Sequence, residues 1–234
     1  MNKSTLTRKL PALLLAMAAG HVTLASAATA QGGLLDGLLK PPAPAPAAQV
    51  AAAPAAVTPI QVEQKLESLR YDVGPIDGNI DEATGHAVMA FQKVHGLSRT
   101  GKLDDAVTAR IMATQGTPTP LVNGDPSRVE VSLARQVLFL YENGSLLKIL
   151  SVSTGKAATP TPTGTFRMYR SEPGWHTSRY GRLYNAQYFV GGYAIHGSLS
   201  VPAEAVSAGC IRIAMNSAEW FPERVARGTQ VVIQ

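Results

Sequence analysis

Residues 137–153 read VLFLYENGSLLKILSVS. Two apolar runs flank Glu142, Asn143 and Gly144. Asn-Gly suits the two positive-φ positions of a type I′ turn, so the stretch predicts a β-hairpin. Just upstream, residues 129–133 (VEVSL) alternate apolar and polar. Downstream, residues 159–168 (TPTPTGTFRM) read as a turn leading into another strand. Further short strands are expected at 188–190, 193–196, 210–213 and 230–233. One helix is expected in this half, over residues 217–226 (SAEWFPERVA). A period of two through residues 128–234 predicts a mostly-β domain with a closed or sandwich-like sheet.

Ahead of residue 128 the period changes. In residues 60–71 (IQVEQKLESLRY), Val62, Leu66 and Leu69 recur at helical spacing. Residues 74–78 (GPIDG) form a turn cluster. In residues 81–95, Ala83, Ala87, Ala90, Phe91 and Val94 mark one helical face, with Asp81 as N-cap and Gly96 as stop. A third short helix is expected to end near Met112. Residues 58–114 thus predict a small three-helix bundle. Residues 115–126 (QGTPTPLVNGDP) read as a linker, and residues 31–57 as a longer one. The latter, rich in alternating Pro and Ala, favours extended polyproline II and reads as a spacer.

The first thirty residues carry Lys3, Arg8 and Lys9, then the apolar run 10–20, then small-x-small triplets at 25–27 and 28–30. That order predicts a secretory signal. The run is shorter than the roughly 20 residues a membrane span needs. The expected mature protein is exported to the periplasm or cell wall, with no stable span after cleavage. The net charge of +5 comes from 21 basic and 16 acidic residues. Without the signal's three, 18 basic residues stand against 16 acidic, a net of +2. No nucleic-acid partner is implied by so small an excess. Aromatics are 6% of the chain, so neither half is expected to hold a large core.

Residues 193–212 read YAIHGSLSVPAEAVSAGCIR and hold Cys210, the single cysteine. An exported chain with one cysteine has no disulfide partner for it, which leaves a free thiol. A thiol becomes a nucleophile when a base takes its proton, and His196 lies fourteen positions upstream. If 193–196 and 210–213 are neighbouring strands, the two can face each other. Alternation puts Cys210 and Arg212 on one face and Ile211 and Ile213 on the other. Gly197 and Gly209 carry no Cβ and let backbone approach a substrate. The N–H groups of Gly209 and Cys210 are natural oxyanion donors. Blander readings exist for each. Cys210 is then a small buried apolar residue, His196 a core histidine, and Arg212 an ion-pair partner of Glu204 or Glu223. Ser207 caps a turn and Gly209 fills a tight one. A zinc site from His176, His196 and Cys210 lacks the close ligand pairing common in such sites, so no metal is expected. No phosphate-binding or dinucleotide motif is present, and no cofactor is expected.

Two resemblances add to this. Asp77-Gly78, residues 87–92 (AVMAFQ), Gly96-Leu97 and Gly101 follow the order of the peptidoglycan-binding domain type 1, which 58–114 resembles. Residues 129–144, 152–156 (VSTGK), 161–166 (TPTGTF), 191–197 (GGYAIHG) and 207–212 (SAGCIR) resemble the L,D-transpeptidase (YkuD-like) catalytic domain over 127–234. Many members carry His where this chain has Ala208. The resemblance implies Cys210 as nucleophile and His196 as acid and base, with a backbone carbonyl orienting the ring. It implies substrate contacts from Arg212, Ser207, Gly209 and Gly197. The implied substrates are peptidoglycan stem peptides, as donor and acceptor, joined in a 3→3 cross-link through a thioester. An L,D-carboxypeptidase with the same Cys-His pair is one alternative, and a non-catalytic wall-binding protein another. The first resemblance implies that residues 58–114 bind the wall polymer as an anchor, and the two linkers predict few contacts between the halves and a second half that folds alone from about Pro126.

Overall fold

The computed structural model describes residues 56–179 and 181–234. The expected signal, and the first linker up to residue 55, lie outside the described residues. Among the described residues three helices come first: α1 (Pro59–Ser68), α2 (Glu82–Val94) and α3 (Asp105–Ala113). Asp81 and Asp104 cap the latter two, each side chain accepting from the backbone N–H three residues on. Gly96, at φ +65°, ends the second helix region in the left-handed conformation. Val62, Leu66 and Phe91 are buried as their spacing predicts. Glu63, on the same helix as Val62, is fully buried as well. Its carboxylate accepts from the N–H groups of Asp77 (3.1 Å) and Gly78 (2.7 Å) and from Thr84 Oγ1 (3.0 Å). The turn at 74–78 is thereby fastened to α1.

Nine strands and one helix follow. The first sheet holds β1 (Arg128–Ser132), β2 (Val137–Glu142), β3 (Ser145–Ser151), β4 (Gly164–Arg167) and β9 (Gln230–Ile233), in the order β3-β2-β1-β9-β4. Asn143 and Gly144 turn β2 into β3 with φ of 50° and 83°. The second sheet runs β5-β6-β7-β8, from β5 (Arg170–Ser178), β6 (Gly181–Val190), β7 (Tyr193–Gly197) and β8 (Ile211–Ile213). Helix α4 (Met215–Arg224) lies between β8 and β9 in sequence. It contains Pro222, which cannot donate to the Ala218 carbonyl one turn back. Asn185 Nδ2 donates to that carbonyl instead, at 3.0 Å.

Two apolar clusters hold this unit together. One lies between the sheets and joins Val129, Val131, Leu138 and Leu140 to Ile195, Ile211 and Ile213, with Phe221 of α4. The other unites Val62, Leu66, Ala87, Phe91 and Ile111 of the helices with Val137, Phe139, Tyr141 and Ile149 on the opposite face of β2 and β3. The expectation of few contacts between the halves is therefore corrected. Three short helices with few aromatics cannot bury much surface alone, and they complete their core on the outer face of the sheet. Backbone joins them too: Asp72 N–H donates to Ile149 O (3.3 Å) and Ile149 N–H to Arg70 O (2.7 Å). The segment at Tyr71 thus extends the β3 edge of the sheet. Residues 115–126 also pack, since Leu121 N–H donates to the buried Glu130 carboxylate at 2.7 Å.

Candidate active site

Strands β7 and β8 are parallel neighbours, with Ile195 opposite Ile211 and His196 opposite Arg212. Ile195, Ile211 and Ile213 enter the core between the sheets, so His196 and Arg212 share the other face. Cys210 precedes β8 by one residue, on the side of Arg212. A cleft of about 250 Å³ is lined by Cys210, His196, Arg212, Ser207 and Ala208, with Trp175, Arg182 and Leu199 on its walls. The sequence-predicted thiol, imidazole and guanidinium therefore meet at one cavity.

His196 is buried and its Nδ1 lies 2.8 Å from Gly197 O. A carbonyl only accepts, so Nδ1 carries the proton and Nε2 keeps the lone pair. The orienting group is thus a backbone carbonyl. Burial pushes the imidazole pKa down to about 4, with Arg212 and His176 acting in the same direction. Burial also raises the Cys210 thiol above its ordinary value, opposed by the Ala194 N–H and by Arg212. At neutral pH the pair is a thiol and a neutral imidazole. The Cys210 thiol donates to Gly192 O at 3.8 Å, and among the described residues it makes no hydrogen bond to His196.

The turn that carries Cys210 is built by Ser207. Its hydroxyl donates to Cys210 O (2.5 Å) and accepts from Gly209 N–H (3.0 Å). This corrects the oxyanion expectation: the Gly209 N–H is already engaged inside the turn. Among the described residues the Cys210 N–H has no such acceptor. Gly209 has φ +117°, and a Cβ there would stand 2.4 Å from Tyr193 Cε1. Gly197 is likewise a packing position, because its Cβ would meet Ala218 Cβ of α4 at 2.6 Å. It backs the His196 strand and does not line the cleft.

Arg212 forms no ion pair among the described residues, with Glu204, Glu223 or any other carboxylate. Its backbone pairs both ways with Ser153, at 3.0 and 3.2 Å. The loop after β3 continues to hold the turn. Ser207 N–H donates to Thr154 O (2.9 Å), and Thr161 Oγ1 donates to Gly209 O (2.8 Å) while accepting from Gly155 N–H. These loop residues have a structural task that their sequence did not disclose. A further polar group lies on β5 and β6, where the sequence offered His176 only as a zinc ligand. Glu172 and Tyr188 both reach His176 Nε2 at 2.9 Å, and Tyr188 packs in a buried cluster with Cys210.

Comparison with known proteins agrees with this architecture. Residues 126–233 match the family model of the L,D-transpeptidase catalytic domain (YkuD). Residues 58–111 match that of the "Putative peptidoglycan binding domain". A crystal structure of the L,D-transpeptidase (residues 123–326) from Xylanimonas cellulosilytica is 30% identical, with a TM-score of 0.68. The alignment covers 78% of this chain and 100% of that one. The chain belongs to the L,D-transpeptidase family. Two curated proteins, each named "Putative L,D-transpeptidase YkuD", come from Bacillus licheniformis and Bacillus subtilis. They are 34% and 31% identical over 112 residues. The match covers 46% of this chain and 66% of each relative, just under two thirds of their length. Among L,D-transpeptidases, this chain thus carries a mostly-β catalytic domain of two sheets behind a peptidoglycan-binding helical region. Among the described residues no helix is long and apolar enough to cross a membrane.

Proposed function

We propose that this L,D-transpeptidase is an exported acyl transferase that forms 3→3 peptidoglycan cross-links through a thioester on Cys210. The observation that carries the reading is one cleft holding a free thiol, a base-form imidazole and a guanidinium that has no ion pair among the described residues.

His196 Nε2 takes the thiol proton as the sulfur attacks the carbonyl carbon of the third residue of a donor stem. The thiol hydrogen leaves the Gly192 carbonyl for the imidazole when substrate is bound. The Cys210 N–H faces the developing oxyanion. The C–N bond to the terminal D-alanine then breaks, and the Nε2 proton passes to the departing amine. A side-chain amine of a second stem attacks the thioester and gives its proton to Nε2. The C–S bond breaks and the proton returns to sulfur. Arg212 holds a substrate carboxylate, for which its planar fork of donors is suited. Ala208 contributes no imidazole, so a single histidine serves both half-reactions.

Incubation with a stem tetrapeptide, with and without an amine acceptor, tests this by product analysis. A cross-linked dimer is expected with the acceptor. Release of free tripeptide at the same rate in both cases would make the protein an L,D-carboxypeptidase instead.

A further inference from the structure

We propose that Lys93, on the helical region, is a positioning residue for the catalytic domain. Its amine fastens the end of β3 from which Arg212 and the nucleophile turn are held. Lys93 is 2% exposed and lies on α2. Its Nζ crosses to the other domain and donates to Ser151 Oγ (2.8 Å) and Val152 O (2.9 Å). The next residue, Ser153, pairs with Arg212 through both backbone groups, and its hydroxyl donates to Glu204 O at 2.6 Å. One residue further, Thr154 O accepts from Ser207 N–H. From the amine to the turn carrying Cys210 the path is therefore two residues of backbone.

An amine is a costly way to fill that space. Burial lowers its pKa to about 7, Arg99 pushes the same way, and Glu204 opposes them. His86, on the same helix, feels its charge, which lowers the imidazole further after burial. An apolar chain of similar length would fill the volume without the desolvation penalty. What the amine alone supplies is two hydrogen bonds to the neighbouring domain. In its neutral form it has two N–H groups for those two acceptors.

A second contact supports the other side of the site. The Asp72 carboxylate accepts from Ser217 Oγ (2.6 Å) and Trp220 Nε1 (3.2 Å) of α4. Helix α4 in turn packs Ala218 against Gly197, beside His196. The helical region thus reaches the supports of both the thiol and the imidazole.

The test compares Lys93→Met with Lys148→Met in the full chain. Lys148 pairs with Glu67 across the same interface, at 2.6 Å, and its amine fastens the middle of β3 rather than the end that leads to the turn. Three quantities are measured: melting temperature, kcat and KM for acylation by a soluble stem tetrapeptide, and the rate of Cys210 alkylation by iodoacetamide. The acylation arm rests on the proposed acyl transfer, whereas the alkylation arm does not. If wild type forms no thioester, the transfer reading fails and alkylation alone judges Lys93. Small displacements of reacting groups cost up to about a hundredfold in rate, so Lys93→Met should lower kcat by about ten- to a hundredfold. KM should hold, the alkylation rate should change, and Lys148→Met should show neither effect. Equal kinetics in the two variants, or a kcat loss that follows the folded fraction alone, would overturn the proposal. Ser151→Ala, which removes one acceptor, covers the case in which Lys93→Met does not fold. A lower kcat in it supports the proposal, and an unchanged kcat overturns it.

Discussion

A buried His196 that is neutral down to about pH 4 stays a competent base well below the ordinary histidine range. The sign follows from the lowered pKa: the active base form is lost only as pH falls through the folded value. The acid limb of kcat/KM for acylation should therefore lie near 4, and a limb near 6.5 would contradict the desolvated imidazole. The raised thiol adds that free-enzyme alkylation should climb with pH without a low-pH thiolate plateau. Gly209→Ala should cost activity and stability together. At φ +117° a side chain is strained, by about 1–3 kcal/mol, before its clash with Tyr193 is counted. An alanine variant with wild-type melting temperature and rate would refute the packing account of that position. At this scale the sequence was legible where chemistry is written in residue type: one thiol, one nearby imidazole, one guanidinium. The employment of the Gly209 N–H was not legible. It depends on a Ser207 hydroxyl folding back within the four-residue turn 207–210.

Among the elements, the hairpin of β5 and β6 went largely unread, although it supplies a wall of the cleft. Residues 170–178 (RSEPGWHTS) are polar and interrupted by Pro173 and Gly174, which argue against a strand. The structure absorbs them in a bulge between Glu172 and Trp175, with Gly174 N–H donating to Asn185 Oδ1 at 2.7 Å. Past the bulge, Trp175 packs on Tyr184 with ring centroids 5.1 Å apart, under the Arg182 guanidinium. Trp175 is 40% exposed and lines the cleft. Aromatic contacts of this kind are worth about 0.5–1.5 kcal/mol. Trp175→Ala should thus raise KM for stem peptide about two- to tenfold and leave kcat nearly unchanged. A fall in kcat at constant KM would instead make Trp175 part of the reacting geometry. The shorter strands were legible from alternation, and a helix was expected at 217–226, where α4 runs from Met215 to Arg224.

For the whole molecule, β2 carried a signal about docking. Val137, Leu138, Phe139, Leu140 and Tyr141 form an unbroken apolar run, and a strand apolar on both faces needs cover on both. Leu138 and Leu140 face the core between the sheets, while Val137, Phe139 and Tyr141 face the helices. Linker composition at 115–126 suggested independence, but composition does not reveal what the flanking surfaces bury. A chain beginning at residue 127 would expose Val137, Phe139, Tyr141 and Ile149. Each such side chain is worth roughly 1.5–3 kcal/mol of burial, against a domain stability of about 5–15 kcal/mol. The truncated chain should be poorly soluble or melt far below the full one, as thermal unfolding would show. A truncated chain with the full chain's melting temperature and acylation rate would mean that the helical region is an anchor alone.

The central claim is that Cys210 carries the acyl group. Intact-mass measurement with peptide mapping, after incubation with a stem tetrapeptide, reads this directly. Wild type should gain one acyl-tripeptide on the peptide containing Cys210 with release of D-alanine, and Cys210→Ala should gain none. An adduct at another residue, or D-alanine release by the Cys210→Ala protein at the wild-type rate, would contradict the account.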